Sequence, residues 1–172
     1  MKKIWGIALG LSLVLALPAS AEPANLLGVF GNWTAYSSGS GSNLTCYALS
    51  KPRASRPTTA KRSAIYLMIS DWPSRKVKAE PQIVYGYQAK EGAAAGLGVG
   101  ADKFTFFIRN TGKEGNAWLQ QRDDNARLVA AMQDGVSAVA SGTSAKGTKT
   151  IDTYSLSGFG DALAKIHSVC QM

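Results

Sequence analysis

The stretch "SGTSAKGTKTIDTYSLSGFGDALAKIHSVC", residues 141–170, opens on glycine, serine, threonine and lysine and closes on a periodic apolar segment. A phosphate-binding loop requires G-x-x-x-x-G-K-[ST] between a strand and a helix. Gly142 and Gly147 have that separation, but Thr148 stands where the lysine must be, and Lys149-Thr150 comes one residue late. The adjoining segment, "TKTIDTYSL", alternates as a strand does, so no helix N-terminus is offered to an anion. The nucleotide reading fails, and a hairpin-like turn running into a strand is expected instead. Beyond it, Phe159, Leu163, Ile166 and Cys170 fall at helical spacing on one face, with Ser157 placed as the cap. Lys165 and His167 then lie toward the C-terminal half of that helix, where cations suit the helix dipole.

Working outward, the chain is dominated by short runs rich in aromatic and β-branched residues. "VFGNWTAYS", interrupted at Gly31, is succeeded by "LTCYALS", "AIYLMIS", "QIVYGYQ", "KFTFFIR" and "AWLQQ". Clusters of Gly, Ser, Asp or Pro separate them, among them "SSGSGSN", "DWPSRK", "EGAAAGLGVGAD" and "NTGKEGN". One short helix is expected over "DDNARLVAAMQDG", which opens on acids and stops at Gly135. The pattern predicts a mainly β protein: an antiparallel β-sandwich or barrel-like domain with one short helix and a C-terminal helix.

The N-terminus carries an address. Lys2 and Lys3 precede an apolar run, and Ala19-Ser20-Ala21 forms an A-x-A cleavage box, so residues 1–21 read as a cleaved signal peptide. The apolar run falls short of the roughly 20 residues of a membrane span. The 151 residues from Glu22 to Met172 suit a single domain in the periplasm or outside the cell. Their net charge loses Lys2 and Lys3 and falls from +8 to +6, which favours anionic partners. Export argues against nucleic acid as that partner. In an oxidising compartment the two cysteines, Cys46 and Cys170, are most simply read as one disulfide.

Catalytic constellations are thin. Ser155, Asp161 and His167 supply the residue types of a triad, and a periplasmic hydrolase using them is the enzymatic alternative. Against it, there is no G-x-S-x-G elbow, and Asp161 and His167 sit six positions apart on one helix, close to opposite faces. One histidine and two paired cysteines cannot build a typical zinc or copper site, so neither metal nor cofactor is expected. Asp123-Asp124 is the only adjacent carboxylate pair, and its place at a helix start explains it. The charged candidate is "KPRASRPTTAKR", with Lys51, Arg53, Arg56, Lys61 and Arg62 and no acid among them. Pro52 and Pro57 make it a poor ladder strand, so an exposed loop is expected. A second cluster, Arg75, Lys76 and Lys78, comes after Trp72-Pro73. Together these residues form a candidate anion-binding loop for lipopolysaccharide, an anionic glycan or an acidic partner protein.

Read in order, "FGNWTAY", "CYALSKP", "VYGYQ", "NAWLQ", "RLVAAMQDG" and the 141–170 stretch resemble the invasion-associated locus B family of exported bacterial proteins. The resemblance implies a compact β-rich envelope or secreted domain, linked in that family with virulence and the invasion of host cells. It brings no catalytic residues. The expectation is therefore a non-enzymatic exported protein acting by binding at the bacterial surface or in the periplasm. The remaining alternative is a structural or stress-related periplasmic protein with no specific partner.

Overall fold

The computed structural model describes residues 23–172; the leader read at residues 1–21 lies outside the described residues. The elements track the alternation in the sequence. They are β1 (Asn25–Phe30), β2 (Trp33–Ser38), β3 (Thr45–Ser50), β4 (Ala54–Arg56), β5 (Tyr66–Trp72), β6 (Val77–Val84), β7 (Ala95–Val99), β8 (Asp102–Thr111), β9 (Glu114–Leu119), α1 (Asn125–Asp134), β10 (Ser137–Thr143), β11 (Lys149–Ser155) and α2 (Phe159–Cys170). All eleven strands belong to one sheet in the order β1-β2-β3-β5-β6-β9-β8-β7-β10-β11-β4, and every neighbouring pair is antiparallel. The sheet does not close into a barrel, because β1 and β4 remain its edges. It folds over on itself. The Asn32 N–H donates to Ser157 O at 2.9 Å and Trp33 Nε1 donates to Ser155 O at 3.0 Å, which brings the end of β11 onto the β1–β2 hairpin.

Period-two alternation sets the faces. Trp33 and Ala35, Cys46 and Ala48, Leu67 and Ile69, Ile83, and Ala117 point inward from β2, β3, β5, β6 and β9. Helix α2 lies on that inner face, burying Phe159, Leu163 and Ile166, and the Trp33 and Phe159 rings meet at 4.9 Å between centroids. Each large apolar side chain buried this way stabilises the fold by about 1.5–3 kcal/mol. Helix α1 buries Leu128 and Met132, and the Gly135 N–H closes its last turn on Ala131 O.

Several boundaries differ from those the sequence suggests. Gly158, not Ser157, precedes the first residue of α2, with φ 86 and no side-chain cap. A Cβ at Gly158 would stand 1.9 Å from Phe30 O, so close backbone approach decides this position and capping chemistry does not. "EGAAAGLGVGAD", read as a turn cluster, contains β7: Ala95, Leu97 and Val99 are buried while Gly96 and Gly98 alternate with them. "VFGNWTAYS" is a hairpin, with β1 and β2 on either side of Gly31-Asn32. The proline-flanked basic segment, expected as a loop, contains the edge strand β4, which pairs Ala54 with Thr153 and Arg56 with Ile151. Pro52 and Pro57 flank this strand rather than interrupt it, so no ladder hydrogen bond is lost.

Candidate functional site: a basic, aromatic groove on the outer face

The two basic clusters go to different places. In the first, Lys51, Arg53, Arg56 and Lys61 are exposed, but Arg62 turns inward. Its guanidinium forms a two-pronged ion pair with Asp152 on β11, with Nη1 donating to Oδ2 at 3.0 Å and Nη2 to Oδ1. The two side chains keep 5% and 0% of their surface, so Arg62 is not available to a ligand and leaves the anion-binding set. The physical reason is Asp152. A carboxylate buried in the sheet requires a cation, and a planar guanidinium matches it with two bonds. Tyr87 lies 5.5 Å under the guanidinium, and its hydroxyl pairs with Thr150 Oγ1 at 2.6 Å. Burial pushes the Tyr87 phenol above its ordinary range, partly offset by the Thr150 hydrogen bond and Arg62. Burial also raises Tyr85, whose hydroxyl donates to Ser141 O at 2.8 Å, and Tyr154.

The second cluster stands at the rim of a groove of about 830 Å³ on the sheet's outer face. β5 and β6 are joined through a single 3-10 turn, Pro73–Arg75, closed by Lys76 in the left-handed region. Arg75 and Lys76 line the groove from this turn, whereas Lys78 is exposed outside it. The register places Gln82 of β6 opposite Trp118 of β9 and Trp118 opposite Phe107 of β8, so the three form one row. Arg109, two residues beyond Phe107 on the same face, and Arg122, just past β9, complete the wall. Four cations thus face one carboxylate, Glu80, which lies 3.9 Å from Arg75. The aromatic surface is ordered: Phe107 stacks on Trp118 at 6.1 Å, and the Arg75 guanidinium sits 5.0 Å from the Trp72 ring. The Trp72 indole N–H is buried and finds no acceptor among the described residues. Arg109 and Arg122 were missed by sequence reasoning. Alternation along "KFTFFIR" could have put Phe107 and Arg109 on one face, but not beside Trp118.

The groove rim is anchored from behind. Asp71 is fully buried at an irregularity between β5 and β6, where its Oδ1 accepts the Ala79 N–H at 2.8 Å. Ala79 has φ 52, a conformation that a non-glycine residue adopts at a cost, and Asp71 holds it there. The other oxygen, Oδ2, lies 2.7 Å from His167 Nδ1 on α2. One turn later Cys170 is joined to Cys46, with Cα atoms 6.0 Å apart, and Cys46 pairs in register with Asp71. A disulfide typically contributes about 2–4 kcal/mol, and the chain-entropy relation gives about 5 kcal/mol for a loop closed across 124 positions. The disulfide therefore fastens α2 to β3, and the His167–Asp71 contact fastens it to the neighbouring β5, the strand that ends at Trp72.

Ser155, Asp161 and His167 are not brought into one hydrogen-bonded set. His167 takes Asp71, Ser155 Oγ accepts the Ser157 N–H at 3.3 Å, and Asp161 is exposed in the first turn of α2. Asp71 is the partner that sequence reasoning missed. Its signal was a lone acid ending the apolar run "AIYLMIS". Among the described residues no group of three His, Cys, Asp or Glu side chains could hold a metal ion, and no helix is long and apolar enough to cross a membrane.

In structure, the chain is similar to the crystal structure of invasion associated protein B from Bartonella henselae, with a TM-score of 0.57 at 12% identity. The likeness is one of fold. It covers 84% of this chain and 98% of the Bartonella chain, so it spans nearly the whole of that domain. No protein-family model and no curated protein matches the chain in sequence.

Proposed function

We propose that this chain is an exported, non-catalytic binding protein that captures an anionic ligand in the outer-face groove, in the periplasm or at the bacterial surface. The observation that carries the reading is the convergence of Arg75, Lys76, Arg109 and Arg122 around Trp72 and Trp118. Arg109 and Arg122 come from segments remote in sequence from the adjacent Arg75 and Lys76, so no local charge run accounts for their meeting. Concave surfaces with one sign of charge and low-dielectric walls focus the field and raise the local concentration of oppositely charged ligands. The signal-peptide pattern, the Cys46–Cys170 pair and the invasion associated protein B fold support an exported setting. The name of the Bartonella protein makes host-cell association the biological context to test first. Against catalysis, His167 and Asp71 serve the packing of α2, and no described hydrogen bond links a nucleophile to that pair.

The test is binding of the mature protein to lipopolysaccharide and to heparin across a salt series, beside an Arg109→Gln/Arg122→Gln variant. Salt-sensitive binding that falls by about tenfold or more in the variant is expected, since hydrogen bonds to charged groups contribute about 1.5–3 kcal/mol each. Binding indifferent to both arginines would defeat the reading.

A further inference from the structure

The groove presents more than positive charge, and its other groups narrow the ligand. We infer that it is a site for an acidic oligosaccharide, one whose sugar rings carry sulfate, phosphate or carboxylate substituents; this rests on the reading of the groove as an anion site. Three features lead to this class.

First, the floor carries acceptors between the cations. Glu80 brings a carboxylate, and Gln82 donates its amide to Asn116 Oδ1 at 2.9 Å, leaving its own carbonyl oxygen as an acceptor. A ligand that is all acceptor, such as a bare phosphodiester chain, offers nothing to these oxygens and is repelled by Glu80. A sugar supplies hydroxyl donors for Glu80 and Gln82 and anionic substituents for Arg109 and Arg122. Charge-assisted bonds of both kinds are the stronger class.

Second, the aromatic rings form flat apolar platforms at the groove wall. Trp118 is backed by Phe107, which is 43% exposed, so the pair stands at the surface rather than in the core. The C–H face of a pyranose is apolar and carries slight positive charge, which suits the negative face of an indole. Arg75 sits 5.0 Å over the Trp72 ring and holds it at the groove wall.

Third, the size and shape agree. About 830 Å³ falls within the roughly 300–1,000 Å³ of small-ligand sites, room for a few sugar rings, and the lining residues reach across β6, β9 and β8.

The experiment titrates the mature protein with a heparin-derived tetrasaccharide, an uncharged chito-oligosaccharide, a thymidine octanucleotide and a glutamate-rich octapeptide. Intrinsic tryptophan fluorescence is the readout, since Trp72 and Trp118 line the groove whereas Trp33 is fully buried. The tetrasaccharide is expected to bind at least tenfold more tightly than any of the other three. Trp118→Leu, which keeps an apolar side chain on the strand, is expected to weaken it by about tenfold. Glu80→Gln is expected to narrow the preference for the tetrasaccharide over the octanucleotide. Equal or tighter binding of octanucleotide or peptide, or indifference to Trp118→Leu, would overturn the carbohydrate assignment. If such a ligand still required Arg109 and Arg122, the anion site would stand and only its ligand class would fall. If no ligand required those arginines, both readings would fall together.

Discussion

Arg62 keeps 5% of its side-chain surface against Asp152, whereas Arg75 keeps 53% beside Trp72 at the mouth of the groove. Both arginines sit in basic segments that carry proline, and composition treats them alike. The fold separates them by what faces each one. Arg62 meets a carboxylate that β11 has buried, and the two neutralise each other among Tyr85, Tyr87 and Tyr154. Arg75 meets an indole face and pairs loosely with Glu80 at 3.9 Å, and because that pair is open to solvent its guanidinium stays accessible. A cation's role is set by whether its counter-charge is buried with it: the Arg62–Asp152 pair is enclosed and spent, while the Arg75–Glu80 pair is exposed.

The largest effect should come from breaking the buried pair. Arg62→Ala leaves Asp152 charged and enclosed, and should cost about 3–5 kcal/mol in urea unfolding. If Arg62 were instead a surface cation, the loss would fall within about 0.5 kcal/mol. Next comes the anchor behind the groove. Asp71→Ala removes the acceptor of the Ala79 N–H and the partner of His167, and should cost about 1–3 kcal/mol. It should also weaken groove binding, because Trp72 is the next residue along the strand. A stability loss with affinity unchanged would uncouple the anchor from the site.

Alkaline titration gives a smaller, graded effect. Burial raises Tyr85, Tyr87 and Tyr154 above the ordinary phenol value of about 10, so the folded state holds them neutral. Their contribution is complete below that value and is lost as pH rises through the raised folded values, because the unfolded chain releases those protons first. Ultraviolet phenolate absorbance should therefore rise for these three together with unfolding, not before it. The smallest effect belongs to the first cluster. Neutralising Lys51, Arg53, Arg56 and Lys61 should change stability by no more than about 0.5 kcal/mol and groove affinity by less than about twofold. A larger fall in affinity would return that segment to the binding surface.

Much of the architecture was legible. Alternation found β3, β5 and β8, and the spacing of Phe159, Leu163, Ile166 and Cys170 found α2, because each pattern is local and strongly periodic. β7 was hidden by Gly96 and Gly98, which read as turn residues while Ala95, Leu97 and Val99 carried the strand. The edge strand β4 was hidden by its two prolines. The groove was less legible still. It depends on β6 pairing with β9 and β9 with β8, and no local pattern states that Gln82 will stand opposite Trp118 and Trp118 opposite Phe107. The basic cluster at Arg75 was visible, but Arg109 and Arg122 join it only through that register.

The measurement that bears most directly on the central claim is an amide chemical-shift map of the isotope-labelled mature protein as the heparin-derived tetrasaccharide is added. Shifts are expected to concentrate at residues 72–82, 107–109 and 118–122, with the segment from Lys51 to Lys61 nearly unchanged. Shifts concentrated on that segment, or spread evenly over every exposed lysine and arginine, would contradict it.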